Sequence, residues 1–179
     1  MNWDSIGISD SPLIDVTSDA LAMGEPSWPH GYQRYRIVRT WQSLILASEG
    51  LGATEVYLEI PTAQGWLPEQ VRNQWQFQLL SSLCRTLVAT EWPAAPFVVP
   101  APAPFSAAQL VASIVGMPVP GRSVDALPVT PITHREFTFL RDGGALSSVI
   151  HARQDMGFHH LVVDAPEVTS LLDDRLPNP

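Results

Sequence analysis

The run Thr54-Glu55-Val56-Tyr57-Leu58-Glu59-Ile60 places an aliphatic side chain at every second position, and Pro61 follows it. Side chains along a strand point alternately to its two faces, so this pattern predicts a β-strand with one buried face and one face in water. The wet face would carry Glu55 and Glu59. Strands of this kind are typical of antiparallel sheets.

A helix is predicted a few residues downstream. Pro68 suits the first turn of a helix, because a first-turn amide has no partner within the helix. Apolar residues then recur every four positions and form one stripe along a helix, namely Val71, Trp75, Leu79, Leu83 and Leu87. The opposite face carries Arg72, Gln76 and Arg85, and Trp92-Pro93 ends the helix. The stripe needs a surface to pack on, and the predicted sheet is the simplest one.

The remaining segments predict further strands and helices. A short strand is possible at 13–17, and runs of β-branched, aromatic or aliphatic residues predict strands at 35–41 with 44–47 (two strands or one bent strand), 110–115, 124–131 and 159–164.

Residues 93–104 contain five prolines, which exclude a helix and predict a loop or an edge strand. Thr133-His134-Arg135-Glu136 has the pattern of a capping box and predicts a helix through Leu140. A second helix is predicted at 145–155. The order of elements predicts an α+β fold, in which helices pack on a mixed or antiparallel sheet.

Length and composition favour one globular domain. The chain has 179 residues, of which 45 % are apolar and 16 % are charged. We expect an acidic, loosely ordered N-terminal arm at 1–31, a folded domain at 32–164 and an acidic C-terminal tail at 165–179.

A cytoplasmic location is expected from what the sequence lacks. No run approaches the ~18 apolar residues of a membrane helix. The start, Met1-Asn2-Trp3-Asp4, has no basic segment followed by an apolar one. The single cysteine, Cys84, excludes an internal disulfide framework.

The net charge of −8 is concentrated at the two ends of the chain. Residues 1–33 contain five acidic residues and no basic one, and residues 164–179 contain four acidic residues and one arginine. A phosphate backbone would be repelled by these ends, so nucleic acid is not an expected partner. A basic protein is a plausible partner, since opposite charge accelerates encounter.

Several segments resemble the suppressor of fused (SUFU-like) domain family. Residues 55–61 are similar to the family's E-L-Y-M-E-L-P strand, and residues 79–85 are similar to its E-L-L-x-x-L-A-R helix segment. Residues 127–137 are similar to the family's strand that leads into P-I-T-x-E-E-L. Residues 144–150 and 160–164 are similar to its last helix and its closing strand. The resemblance covers roughly residues 45–164. It implies a single SUFU-like domain of the stand-alone bacterial type.

The resemblance implies a binding protein without catalytic activity. Stand-alone bacterial members look like immunity proteins, which bind and block a cognate toxin. Eukaryotic members bind a peptide of transcription factors, which suggests an alternative scaffold that accepts a peptide by strand addition.

The residues themselves leave a catalytic alternative open, a small hydrolase or transferase that uses His30 or His134 with a nearby carboxylate. Cys84 falls on the apolar stripe and is expected to be a buried, inert thiol. The histidines show no metal-ligand spacing, so neither a metal nor a cofactor is expected. Glu55 and Glu59 would lie about 13 Å apart along the strand, too far for an acid–base pair.

A partner-binding surface is predicted from tryptophan and arginine, which dominate interface hot spots. Trp41 and Trp75 fall on core patterns. The residues that flank the predicted helix, and that we predict to contact a protein partner, are Trp66, Arg72, Arg85 and Trp92.

Overall fold

The computed structural model describes residues 3, 6–41, 43–61, 68–105, 109–119, 126–157 and 166–176. The strands are β1 (Ile8–Asp15), β2 (Arg34–Arg39), β3 (Ser43–Glu49), β4 (Glu55–Pro61), β5 (Phe97–Phe105), β6 (Leu110–Val115) and β7 (Ala126–Ile132). The helices are α1 (Thr17–Ala22), α2 (Pro68–Val71), α3 (Trp75–Val88), α4 (His134–Arg141), α5 (Leu146–Asp155) and α6 (Pro166–Arg175).

The strands form one mixed sheet in the order β1-β2-β3-β4-β7-β6-β5. Neighbouring strands are antiparallel, except that β4 and β7 run parallel with Val56 opposite Leu127. The predicted α+β class, with helices packed on a mixed sheet, is confirmed. The proline-rich segment forms β5, which lies at one edge of the sheet. Of the two predicted alternatives, a loop or an edge strand, the edge strand is therefore confirmed.

Helices cover both faces of the sheet. Leu80 and Cys84 of α3 share one core with Leu58 of β4. The helices α4 and α5 pack at the β6–β7 end, in a second core that contains Ile114, while the adjacent Val115 belongs to the first core. Since adjacent strand residues point to opposite faces, these helices lie on the face opposite α3.

The prediction that β4 has one wet face is wrong. Tyr57 and Glu59, on the supposed outer face, are both buried. Trp3 covers this face and meets Tyr57 edge to face, with ring centroids 5.8 Å apart. Glu59 accepts a hydrogen bond from Ser43 Oγ at 2.6 Å. The polar residue Glu59 in the alternating pattern is therefore hydrogen-bonded inside the protein and is not in water.

The predicted single helix from Pro68 is interrupted. Residues 72–74 form a turn between α2 and α3, in which Gln74 N donates to Val71 O at 3.0 Å. Gln76, predicted on the polar face, is buried. The apolar stripe itself is buried as predicted at Val71, Leu79, Leu83 and Leu87, and partly buried at Trp75.

Residues 1–31 are expected to form a loosely ordered arm, but their described part contains the strand β1 and the helix α1. β1 is an edge strand that pairs with β2, longer than the strand expected at 13–17. Ile14 and Trp28 are buried in the main core, and Trp28 packs edge to face on Tyr35. Hydrophobic burial fixes this segment, although its polar and proline residues suggested a loop.

The expected C-terminal tail is also structured in its described part. α6 occupies Pro166–Arg175, and Leu172 and Leu176 are buried. Asp173 accepts a hydrogen bond from Thr133 Oγ1 at 2.7 Å, which attaches α6 to the start of α4. The strand predicted at 159–164 lies outside the described residues.

The assignment of Trp41 to the core is wrong. The predicted run at 35–47 folds as two strands, and the amide of Thr40 donates to Ser43 O at 2.9 Å to close the turn between them. Trp41 lies at the tip of this turn, where its side chain is 97 % exposed.

Candidate functional site

The structure brings together two of the four predicted partner-binding residues. Arg72 lies in the turn between α2 and α3, and Arg85 lies in the last turn of α3. Both side chains reach residues 15–25, a segment that includes α1 and that we call the α1 segment. Trp66 lies outside the described residues.

Arg72 is held by two oxygens of the α1 segment. Its Nη1 lies 3.4 Å from Asp19 Oδ2, and its Nη2 donates to the carbonyl oxygen of Asp15. The carboxylate is the more exposed member of the pair, since the side chain of Asp19 is 61 % exposed and that of Arg72 is 43 % exposed. Solvent therefore screens this ion pair.

Arg85 is paired with Glu25 at the other end of the α1 segment. Its Nη1 lies 2.5 Å from Glu25 Oε1. Here the exposure is reversed, because the side chain of Arg85 is 37 % exposed and that of Glu25 is 9 % exposed. The two pairs therefore differ mainly in their carboxylates, since Asp19 is exposed and Glu25 is largely buried, while both guanidinium groups are partly exposed.

Asp15 fixes the start of α1. Its Oδ1 accepts hydrogen bonds from Thr17 Oγ1 at 2.6 Å and from Thr17 N at 2.9 Å, while Oδ2 accepts from Arg34 Nε at 3.0 Å. The hydrogen bonds from Thr17, followed by the Arg34 guanidinium, lower the pKa of Asp15 below its ordinary value. Within α1, only Ala20 is buried, so the short helix depends on these polar contacts and on Trp28 beyond it.

A cleft of about 210 Å³ lies between the α1 segment and α3. Four apolar and four polar residues line it, namely Val16, Ala20, Met23, Phe77, Asp19, Glu25, Arg72 and Ser81. Phe77 packs edge to face on Tyr35 at 4.8 Å between ring centroids, and this contact holds the cleft wall in place. Met23, which lines this cleft, is exposed, and so is the nearby Leu21, which lines a separate small cleft with Trp28 and Gln33.

The cleft combines apolar and charged side chains. Protein interfaces combine an apolar centre with a polar rim. The lining of this cleft includes both kinds of group, with the apolar Phe77 and Met23 beside the Asp19–Arg72 ion pair and Glu25.

Trp92 is not brought to this cleft. Its Nε1 donates to Leu87 O at 2.8 Å, so the indole satisfies a carbonyl at the C-terminal end of α3. It lines a separate cleft of about 290 Å³ with Pro29, Leu51, Leu87 and Val88 among others. The partly buried Trp92 side chain therefore caps the C-terminal end of α3.

The residues of the catalytic alternative are dispersed. His30 lies in the loop after α1, and His134 is the first residue of α4; both are exposed. Cys84 is fully buried, and burial raises the pKa of its thiol far above the ordinary value. In the part of the chain that the structure describes, no three His, Cys, Asp or Glu residues are grouped to hold a metal ion.

Sequence patterns identify neither the partners of the two arginines nor the exposed apolar side chains on the α1 segment. Leu21 and Met23 fall in the segment that the sequence predicts as a loose arm, together with the acidic Asp19 and Glu25. The composition gives one indication, because residues 1–33 contain five acidic residues and no basic one, so any ion pair that they form has its cation elsewhere in the chain.

Within the described ranges, no helix combines the length and apolar content that crossing a bilayer requires.

Comparisons with known proteins identify no relative. The chain matches no protein-family model, no curated protein and no solved structure.

Proposed function

We propose that the chain is a non-catalytic protein-binding module that contacts its partner through the α1 segment and the cleft behind it. The carrying observation is the exposure of Leu21 and Met23 on the α1 segment, next to a cleft that combines apolar side chains with the Asp19–Arg72 ion pair and Glu25. Exposed aliphatic side chains next to a cavity offer a partner both apolar area and a place to insert a side chain.

The charge distribution favours a protein partner that is basic overall. Residues 1–33 carry five acidic and no basic residues, and α1 lies within this part of the chain. Attraction at long range would increase the association rate, and added salt would lower it. The same charges disfavour nucleic acid.

The more specific proposal is an immunity-type protein that acts in the cytoplasm and blocks a cognate toxin by occluding its surface. Its support is the resemblance of residues 45–164 to the SUFU-like family, whose stand-alone bacterial members look like immunity proteins. Occlusion needs only surface complementarity, and the exposed apolar and charged side chains of the α1 segment would supply this chain's share of it.

Strand addition has less support than this mode of binding. One edge of the sheet is β5, in which Pro100, Pro102 and Pro104 lack the amide hydrogens that an added strand would require. The other edge is β1, whose pairing with β2 shifts register between Asp10 and Ile14. Prolines and bulges of this kind protect edges from pairing.

Site-specific photo-crosslinking tests the proposed function. A benzophenone amino acid replaces Leu21 in one variant and Leu171 in the control, whose side chains are 66 % and 56 % exposed. In cells that naturally express the chain, the variant at position 21 is expected to give one dominant adduct that the control lacks. The adduct partner must then bind the unmodified chain when both are purified. Equal adducts at both positions, or no adduct at position 21, would contradict the proposal.

A further inference from the structure

We infer that β5 carries a second interaction surface, which docks into the aromatic-lined groove of a protein domain that recognises proline-rich segments. This surface consists of Pro100, Pro102 and Pro104, which we call the proline row. It is separate from the α1 segment, because β5 is the outer strand at one edge of the sheet and β1, which leads into α1, is the outer strand at the other.

The proline row stands on a strand that is anchored in the core. Val99 is buried in the main core, whereas all three prolines of the row are exposed. Alternate residues of an extended strand lie on the same side of it. In agreement with this rule, Pro100 and Pro102 both line one small cleft against α3. The rings are therefore presented together on a fixed support.

The pairing of β5 with β6 is irregular along the proline row. Pro100 lies opposite Ala112, and Phe105 lies opposite Leu110, so four residues of β5 stand against one residue of β6. The three extra residues cannot all take part in a regular ladder, and the strand bends where such residues are inserted. Residues 101–104 are therefore displaced from regular pairing and can be approached from outside the sheet.

The backbone of residues 99–104 is restricted at every position by its own sequence. Proline holds φ at about −65°, and the residue before a proline is confined to extended or polyproline II conformations. In this segment every residue either is a proline or precedes one. A ligand that is already extended loses little conformational entropy on docking, which is the advantage that aromatic grooves gain from polyproline segments.

The spacing of the rings also matches such a groove. Alternate residues lie about 6.6 Å apart along a strand and about 6.2 Å apart along a polyproline II helix. A groove whose aromatic rings are spaced for polyproline can therefore meet neighbouring prolines of the row without a change in β5.

The polar groups of the segment specify the kind of aromatic residue. Residues 100–104 offer a carbonyl acceptor at every position, but only Ala101 and Ala103 have amide hydrogens. A complementary surface must therefore supply donors together with apolar area. Tyrosine and tryptophan combine an aromatic ring with one donor, so we expect them to line the groove.

Charge has no part in this recognition on the side of β5. No residue between Glu91 and Arg122 is charged. The small cleft beside the row is also lined by uncharged residues, among them Ser82 and Thr86 of α3. Binding at the proline row is therefore expected to be almost independent of salt, unlike the encounter of the α1 segment with a basic protein.

Titration with purified SH3, WW and EVH1 domains tests the inference, because all three classes bind proline-rich segments in aromatic-lined grooves. Each domain is added to the isotope-labelled full chain, and the backbone amides of Ala101 and Phe105 are followed. At least one domain is expected to shift these amides with a dissociation constant below about 1 mM, and added sodium chloride should change that constant by less than about twofold.

Variants on both sides of the contact identify the groups that bind. Pro102→Ser removes the central ring of the row and is expected to raise the dissociation constant at least about fivefold. Pro118→Ser is the matched control, since Pro118 is exposed but lies after β6 and outside the row; it should change nothing. Replacement of the groove tryptophan of the probe domain by alanine should abolish the shifts with the unaltered chain, a result that no misfolding of a variant can imitate.

The absence of shifts with all three domains would overturn the inference, as would equal affinities of Pro102→Ser and the wild type. Sedimentation of the chain alone tests a second copy as the occupant, since Trp41 is 97 % exposed and could supply an aromatic ring. Self-association that Pro102→Ser abolishes would assign the row to that copy and overturn the inference too. None of these results affects the adduct at position 21, because the α1 segment is a separate surface.

Discussion

Arg153 and Glu136 form a two-pronged ion pair inside the protein. Arg153 Nε lies 2.7 Å from Glu136 Oε1 and Nη2 lies 2.9 Å from Oε2, with both side chains almost fully buried. Nη2 also donates to Pro131 O at 2.8 Å, and Glu136 Oε2 accepts from Thr133 N at 2.7 Å. The pair thus joins α5 to the start of α4 and to the end of β7.

Breaking this pair should be costly because it leaves a buried charge alone. Arg153→Met is expected to lower the free energy of unfolding by about 3–5 kcal/mol. Adding Glu136→Gln neutralises the remaining carboxylate and keeps an acceptor for Thr133 N, so the double variant should recover part of the loss. Urea unfolding measures both. A double variant as unstable as the sum of the two single variants would contradict this account.

Docking of α6 should weaken as the pH rises. Burial is the main cause that raises the pKa of Asp173, and the nearby Glu136 adds to it, against the hydrogen bond from Thr133. A carboxyl whose pKa is raised by folding favours the folded state most below its ordinary pKa, and this contribution is lost as the pH rises through the raised value.

Asp173→Asn removes the charge and can still accept the hydrogen bond from Thr133 Oγ1. Amide hydrogen exchange in α6 should therefore be slower than in the wild type at pH 7, with the difference disappearing as the pH falls below the ordinary pKa of an aspartate. The exposed Asp174→Asn serves as the control. Faster exchange in Asp173→Asn at pH 7 would show that the carboxylate stabilises α6.

The thiol of Cys84 should be inert in the folded protein. Burial removes it from solvent and raises its pKa, so little thiolate exists at neutral pH. Alkylation by iodoacetamide at pH 8 should be at least about a hundredfold slower in buffer than in denaturant, since it requires opening of the core. Alkylation at similar rates in both conditions would be inconsistent with the packing of α3.

Trp28 should be essential for stability although it lies in the segment that the sequence predicts as a loose arm. Trp28→Ala removes a buried ring in contact with Tyr35 and is expected to cost about 3–5 kcal/mol. Leu21→Ala, at an exposed position of the same segment, should change stability by less than about 0.5 kcal/mol. If thermal unfolding shows that both substitutions change stability by equal, small amounts, the prediction of a loose arm would be correct after all.

Local signals in the sequence were sufficient where one element determines its own structure. The capping box of Thr133 and Glu136 forms as predicted, because both hydrogen bonds close within four residues. The prolines of residues 93–104 correctly predicted an edge strand as one of two possibilities, because proline removes the amide hydrogens that an inner strand needs.

Contacts between residues far apart in sequence could not be predicted from such local patterns. Alternation along β4 does not show whether its polar face meets water or Trp3, and the aromatic Trp41 matches a strand pattern even at the tip of a turn. The helix pattern placed Arg72 and Arg85 on the surface but could not show that Asp19 and Glu25 pair with them, over separations of 53 and 60 residues.

Calorimetric titration of the partner captured through position 21 tests the central claim most directly. The titration compares the wild type with Leu21→Glu and with Leu171→Glu, which places the same charge at an exposed position of α6. Binding through the α1 segment predicts that Leu21→Glu raises the dissociation constant at least about tenfold, while Leu171→Glu leaves it unchanged. Equal affinity of all three proteins would place the contact elsewhere and contradict the account.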